Sequence, residues 1–188
     1  MTEKSLSISK KGGISLKKII FLEGLPGVGK TTLIKKIEEA KIPNVHVVDE
    51  IIKKPITNTQ LFFMKNDEMK FKKYNNGAVV IDRGFISTLS YNETRDKLDD
   101  NFDHLPVLKW FEKQKSIYNE HVKVIYLTSF GKRHFIHKIN EKDPYGTVEN
   151  QKLLEKVTLH NCRKYSKNLI VKNCDEIDID EVIYEIIN

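Results

Sequence analysis

The sequence predicts an α/β fold built on a five-stranded parallel sheet flanked by helices. Three observations carry this. From Lys17 onward short apolar runs alternate with helix-period patterns, the order that builds parallel sheets. The runs are continuously apolar rather than alternating, as strands covered on both faces require. The first run opens directly into a glycine-rich turn and then a helical pattern. At 188 residues the chain is long enough for one full core. No internal repeat or linker divides it, so residues 16–188 read as a single domain. Residues 1–15 are polar, with Lys10-Lys11-Gly12-Gly13 in their second half, and are expected to be a disordered tail.

The first strand, Lys18 to Glu23, is an apolar run closed by a carboxylate. Gly24-Leu25-Pro26-Gly27-Val28-Gly29-Lys30-Thr31-Thr32 follows and fits the phosphate-loop pattern of Gly, four free positions, then Gly-Lys-Ser/Thr. Glycines let backbone N–H groups turn inward around an anion, and the helix that follows presents its positive end. The loop predicts ATP and Mg²⁺ as ligands, held by Gly24, Pro26, Gly27, Val28, Gly29, Lys30, Thr31 and Thr32. Lys30 would reach the β- and γ-phosphates, and the Thr31 hydroxyl would hold the metal. Leu33, Ile34, Ile37 and Ala40 then share one helical face, and Pro43 forbids continuation.

The second strand, Val45 to Val48, ends in Asp49-Glu50. In an open α/β sheet ligands lie beyond the carboxyl ends of strands, so Glu50 is placed to take a proton from an attacking hydroxyl; a solvated acidic pair is the alternative. From Asn58 a helix runs to about Tyr74. Phe62, Phe63 and Met64 suit a core, with Phe63 also a substrate candidate. Gln60 can give and accept hydrogen bonds together, as reading a base edge requires. The third strand, Ala78 to Asp82, is four apolar residues closed by a carboxylate, the layout of an Mg²⁺-binding strand end. Arg83 follows it, suited to a phosphate or a carboxylate neighbour, and then Gly84, Ser87 and Tyr91.

The fourth strand, Val122 to Leu127, leads into a basic stretch from Gly131 to Gly146 that includes Arg133, Lys138 and Lys142. Thr147 reads as the N-cap of a long helix carrying Leu153, Leu154 and Val157 on one face. Asn168 to Val171 is the fifth strand, followed by a loop at Lys172-Asn173-Cys174-Asp175. The last helix has Ile179, Val182, Ile183, Ile186 and Ile187 at core-facing spacings. The histidines form no metal-ligand spacing with Cys162 and Cys174, and two isolated cysteines imply a reducing, cytoplasmic setting. No run approaches a membrane span. The net charge of +6 comes from scattered lysines, which argues against a nucleic-acid partner. A homodimer is compatible with the composition.

Glu23-Gly24 through Thr32, with Asp82-Arg83, Ser87 and Tyr91, resembles the thymidylate kinase and deoxynucleoside kinase branch of P-loop kinases. Glu50 and Pro55 are similar to the strand-end glutamate and following proline of deoxynucleoside kinases. The resemblance implies a three-layer P-loop NTPase fold with a small helical lid at about residues 131–146, in which Arg133 closes over the transferring phosphate. It further implies Lys30, Glu50, Arg83 and Arg133 as catalytic, Gln60, Phe63 and Tyr91 at the substrate, Thr31 and Asp82 at the metal, and adenine at the loop after the fifth strand. Two features depart from thymidylate kinases. Their Arg-Glu-Pro-Gly turn is absent after Val48, and Asn66-Asp67-Glu68 stand where an arginine should grip the acceptor's phosphate. Carboxylates there would repel a phosphate, which favours a neutral (deoxy)nucleoside over a nucleoside monophosphate. Sugar, antibiotic or polynucleotide 5′-hydroxyl kinases, and a nucleotide-dependent switch, are the other readings.

Overall fold

The computed structural model describes residues 17–50, 59–128, 143–176 and 178–187. In chain order these form β1 (Lys18–Glu23), α1 (Lys30–Glu39), β2 (Val45–Val48), α2 (Thr59–Lys72), β3 (Ala78–Asp82) and α3 (Phe85–Leu98). They continue as α4 (Leu105–Gln114), β4 (Val122–Thr128), α5 (Val148–Tyr165), β5 (Leu169–Asn173) and α6 (Ile179–Ile187). The tail at residues 1–15, Pro55 and the basic stretch with Arg133, Lys138 and Lys142 lie outside the described residues.

The five strands form one parallel sheet in the order β2-β3-β1-β4-β5. Side-chain alternation along the strands divides the core into two layers. Ile19, Phe21, Val79, Ile81, Val124 and Tyr126 face α3, α4 and α5, meeting Phe85, Leu89, Val107, Phe111 and Cys162. Ile20, Leu22, Val80, Ile125 and Leu127 face α1 and α6, meeting Leu33, Ile34, Ile37, Val182 and Ile186. This double covering is why the strands read as unbroken apolar runs. The three-layer α/β fold expected from the sequence is the one observed.

Thr147 caps α5 as expected, its hydroxyl accepting from the Asn150 N–H at 3.2 Å. Three readings need correction or addition. β5 runs on through Lys172 and Asn173, because these residues still pair with Leu127 and Thr128 of β4; the chain turns only at Cys174. α4 had no counterpart in the sequence reading, since its apolar positions Val107 and Phe111 lie in a short segment of ten residues. In α2 the buried residues are Asn66, Asp67 and Lys70, while Leu61 and Met69 are exposed. That helix turns a polar face inward, and the reason lies in the site.

Candidate active site

The order β2-β3-β1-β4-β5 puts β1 at the centre, with its carboxyl end between those of β3 and β4. The chain reverses direction across the sheet here, the place where open α/β sheets bind ligands. The phosphate loop springs from this end of β1. Gly24 has φ 138°, and a Cβ on it would stand 2.4 Å from the Leu127 carbonyl oxygen of β4. Only glycine lets the loop leave the strand this close to its neighbour. Gly29, in the left-handed region, caps α1, whose first residue is Lys30. Lys30 is 5% exposed and donates from Nζ to the carbonyls of Gly24 and Leu25, 2.9 Å each. Burial, and next the Arg83 guanidinium, push its pKa down to about 7, against the pull of Asp82, Glu50 and Glu23. A lysine held at this cost where a glycine-rich loop meets a helix N-terminus is suited to meeting phosphate oxygens. Thr31 and Thr32 are exposed on the first turn of α1.

The turn after β3 is pinned from two sides. Arg83 has φ 55°, a left-handed conformation that a non-glycine residue holds only when its surroundings insist. Its N–H bonds the Leu22 carbonyl at 3.0 Å, and Lys70 Nζ donates to the carbonyls of Asp82 and Arg83 at 3.1 and 2.8 Å. Glu23 fixes the next residues. Fully buried at the end of β1, it accepts from the Gly84 N–H at 3.0 Å and from the Ser87 hydroxyl. Gly84 is itself required, since a Cβ would lie 2.3 Å from the Phe21 ring. The Tyr118 hydroxyl accepts from the Ile86 N–H at 3.2 Å, so two free N–H groups at the start of α3 are satisfied by β1 and Tyr118. Sequence reasoning placed Glu23 and Ser87 in the motif but assigned neither this task.

So held, Arg83 faces a cavity of about 460 Å³ between α2 and α3, a volume suited to a nucleoside-sized ligand. Arg83 Nε lies 3.3 Å from Glu50 Oε2, and Arg83 Nη1 donates to the Tyr91 hydroxyl at 2.5 Å. Gln60 and Phe63 of α2 and Tyr91 of α3 line the same cavity, as does Glu50. The structure thus brings together Glu50, Arg83, Gln60, Phe63 and Tyr91, and sets them beside the phosphate loop: the charges of Glu50, Asp82 and Arg83 all act on Lys30. Asp82 is 5% exposed, and its Oδ1 is buried with no hydrogen-bond partner among the described residues. Burial raises its pKa, with Lys30 opposing. An orphaned carboxylate oxygen at the phosphate loop fits a divalent cation, with the Thr31 hydroxyl as a second oxygen donor. Arg133 lies outside the described residues.

The expectation that Asp67 and Glu68 would together repel an acceptor phosphate does not hold. Glu68 accepts from the Trp110 indole N–H at 2.8 Å and does not line the cavity. Asp67 does line it, but Lys70 sits 2.9 Å from its carboxylate and the Thr88 hydroxyl donates to it at 2.6 Å. Its charge is therefore matched inside the wall. Lys70, Thr88, Asn92, Arg95, Phe102 and Tyr145 also line the cavity and were not foreseen. For Lys70 a signal existed: Gln60, Phe63, Asp67 and Lys70 recur at three and four, one face of a helix. Tyr145 gave none. It reaches the site from just before α5, donating to the Tyr91 carbonyl at 2.5 Å with its ring edge-on to Tyr91.

No protein-family model and no curated protein matches the sequence. Solved structures do. A thymidylate kinase from Candida albicans superposes with a TM-score of 0.64 at 16% identity, covering 92% of this chain and 91% of that one. The YorR protein of Bacillus subtilis, solved with phosphorylated GDP, gives 0.58 at 20% identity over 90% and 93%. A deoxyadenosine kinase from M. mycoides, solved with dATP, gives 0.56 at 16% over 89% and 97%. At such identities the likeness establishes the shared α/β fold over nearly the whole chain.

Proposed function

We propose that this protein is an ATP-dependent kinase that transfers the γ-phosphate to a hydroxyl of a (deoxy)nucleoside. The observation that carries the reading is Glu50, a carboxylate 3.3 Å from Arg83 on the wall of a nucleoside-sized cavity beside the phosphate loop. A nucleoside hydroxyl has a high pKa and gains from a nearby carboxylate as it attacks; a monophosphate acceptor is already ionised. The fold shared with nucleoside and nucleotide kinases supports the same class.

In this reading the chain positions and neutralises. Lys30 leaves the Gly24 and Leu25 carbonyls to hold β- and γ-phosphate oxygens. Mg²⁺, held by Asp82 and Thr31, would supply further neutralisation of phosphate charge. Arg83, fixed by Glu23, Lys70 and Tyr91, orients Glu50 and offers its remaining N–H groups to the transferring group. Glu50 accepts the acceptor's proton. Alignment and preorganised charge of this kind account for most of the barrier reduction in phosphoryl transfer.

A monophosphate acceptor is the second reading, and one observation favours it: with Asp67 matched by Lys70, the cations Lys70, Arg83 and Arg95 all line the cavity. A panel of nucleosides and nucleoside monophosphates with ATP, scored for ADP, separates the two. Nucleosides should turn over, and Glu50→Gln should lower kcat about a hundredfold while leaving nucleoside binding nearly intact. Efficient use of monophosphates alone, indifferent to Glu50→Gln, would establish the second reading.

A further inference from the structure

The backbone of Arg83 is locked, but its guanidinium stands at the end of a long side chain. Two groups on the cavity wall meet that head. Glu50 Oε2 lies 3.3 Å from Nε, and the Tyr91 hydroxyl accepts from Nη1 at 2.5 Å. The guanidinium also lies over the Tyr91 ring, 5.1 Å from its centroid. Tyr91 therefore touches Arg83 twice, and the head is placed only as well as that ring is placed.

Tyr145 meets the same ring. Its own ring stands edge-on to Tyr91 with centroids 5.0 Å apart, and its hydroxyl donates to the Tyr91 carbonyl at 2.5 Å. The hydroxyl thus anchors Tyr145 to the backbone that carries Tyr91, while the ring backs the Tyr91 side chain. Tyr145 is itself delivered by a fastened turn. Its N–H donates to the Asp143 carboxylate at 3.0 Å, the Gly146 N–H bonds the Asp143 carbonyl at 2.8 Å, and Asn150 Nδ2 bonds the Pro144 carbonyl at 2.7 Å. α5, which follows, is registered on α3 by Asn161 Nδ2, bonded to Ser90 Oγ at 3.1 Å and to Glu93 Oε2 at 3.0 Å.

We infer that Tyr145 is a positioning residue, holding the Arg83 guanidinium in the cavity by backing the Tyr91 ring. Supporting side chains whose own rotamers are locked by packing are what keep a site in productive geometry. The effect on phosphate transfer rests on the nucleoside reading; the placement of Arg83 does not.

The first test therefore needs no turnover. In the full chain labelled with ¹⁵N, the Arg83 Nε–H resonance is identified by its loss in Arg83→Lys. Tyr145→Phe, which removes one oxygen at a half-buried position, should shift or broaden that resonance and leave the exposed Arg163 unchanged. Tyr145→Leu serves should the first variant fail to fold. With ATP and the acceptor that turns over, Tyr145→Phe should lower kcat about tenfold and keep the acceptor KM within about twofold. Added to Tyr91→Phe, which already breaks the bond to Arg83, it should lower kcat by less than about twofold more.

An Arg83 resonance unchanged in folded Tyr145→Phe overturns the inference whatever the turnover. So does a raised acceptor KM with kcat intact, the mark of a wall residue that only contacts the ligand. Full additivity with Tyr91→Phe overturns it as well, since the two would then act separately. A shifted Arg83 resonance in a protein that phosphorylates no nucleoside or monophosphate would sink the kinase reading and leave the placement of Arg83 by Tyr145 standing.

Discussion

Glu23 has both carboxylate oxygens committed, to Gly84 and Ser87, and no exposed surface. Burial, outweighing those hydrogen bonds, pushes its pKa from 4.5 up to about 7. The folded state therefore binds a proton more tightly than the unfolded chain. Stability is fully present below about pH 4.5 and declines as pH rises through 7, by an amount on the order of 3 kcal/mol. Glu23→Gln has no charge to bury, so the fall in stability between pH 5 and pH 8 should shrink in that variant. Denaturant melts at the two pH values check this, and an undiminished fall would assign the slope elsewhere. Lys30 shifts the other way, from 10.5 down to about 7. Phosphate oxygens would favour its ammonium form, so ATP binding near pH 8 should take up a proton. Calorimetry in buffers of different ionisation enthalpy should show the uptake, and Lys30→Met should abolish it.

At the scale of elements, α2 forms one wall of the cavity proposed for the acceptor. Its inward face is polar because partners from other elements complete it: Thr88 of α3 for Asp67, and the carbonyls of Asp82 and Arg83 for Lys70. Removing one partner of a buried ion pair leaves a bare charge, a loss of about 3–5 kcal/mol. Lys70→Met should therefore destabilise the protein by about that much and loosen the Arg83 turn. Lys70→Met combined with Asp67→Leu should recover most of the stability but not the activity. Urea denaturation of the single and double variants tests the first part; a double variant no more stable than the single one would show that the pair is not the unit. The same helix explains why apolar periodicity misread it. A pattern rule locates burial by apolarity, and here burial is carried by side chains whose partners lie up to 21 residues away in sequence.

For the whole molecule, the parallel sheet is a platform that gathers strand ends. Glu23 from β1, Glu50 just after β2 and Asp82 from β3 converge on one rim, where the phosphate loop supplies the opposite charge. A ligand that binds only the folded rim stabilises the whole chain by mass action. Mg·ATP at a hundred times its Kd should add about 2.7 kcal/mol, or about 5–10 °C in Tm for a chain of this size. Lys30→Ala should lose that rise while melting normally without nucleotide. Asp82→Asn should lose the part that depends on Mg²⁺. A full rise in either variant would place nucleotide binding elsewhere. Among the described residues no helix is long and apolar enough to cross a membrane.

The sequence by itself determined the α/β class, all five strands, the phosphate loop and the acidic strand ends. These are local: each rests on a continuous apolar run, on fixed glycine spacing or on a residue's place at the end of its strand. It also marked Arg83 by its place at a strand end and Gln60 by its amide chemistry, while Phe63 and Tyr91 at the substrate were implied by the family resemblance. Only the tertiary structure decided what those groups face. Glu68 turns to Trp110, Asp67 is matched by Lys70, Gln60 donates to Asp103, and Tyr145 meets Tyr91 across 54 residues of chain. The physical reason is that a side chain's free hydrogen-bonding capacity is what remains after its neighbours are served, and those neighbours come from other elements.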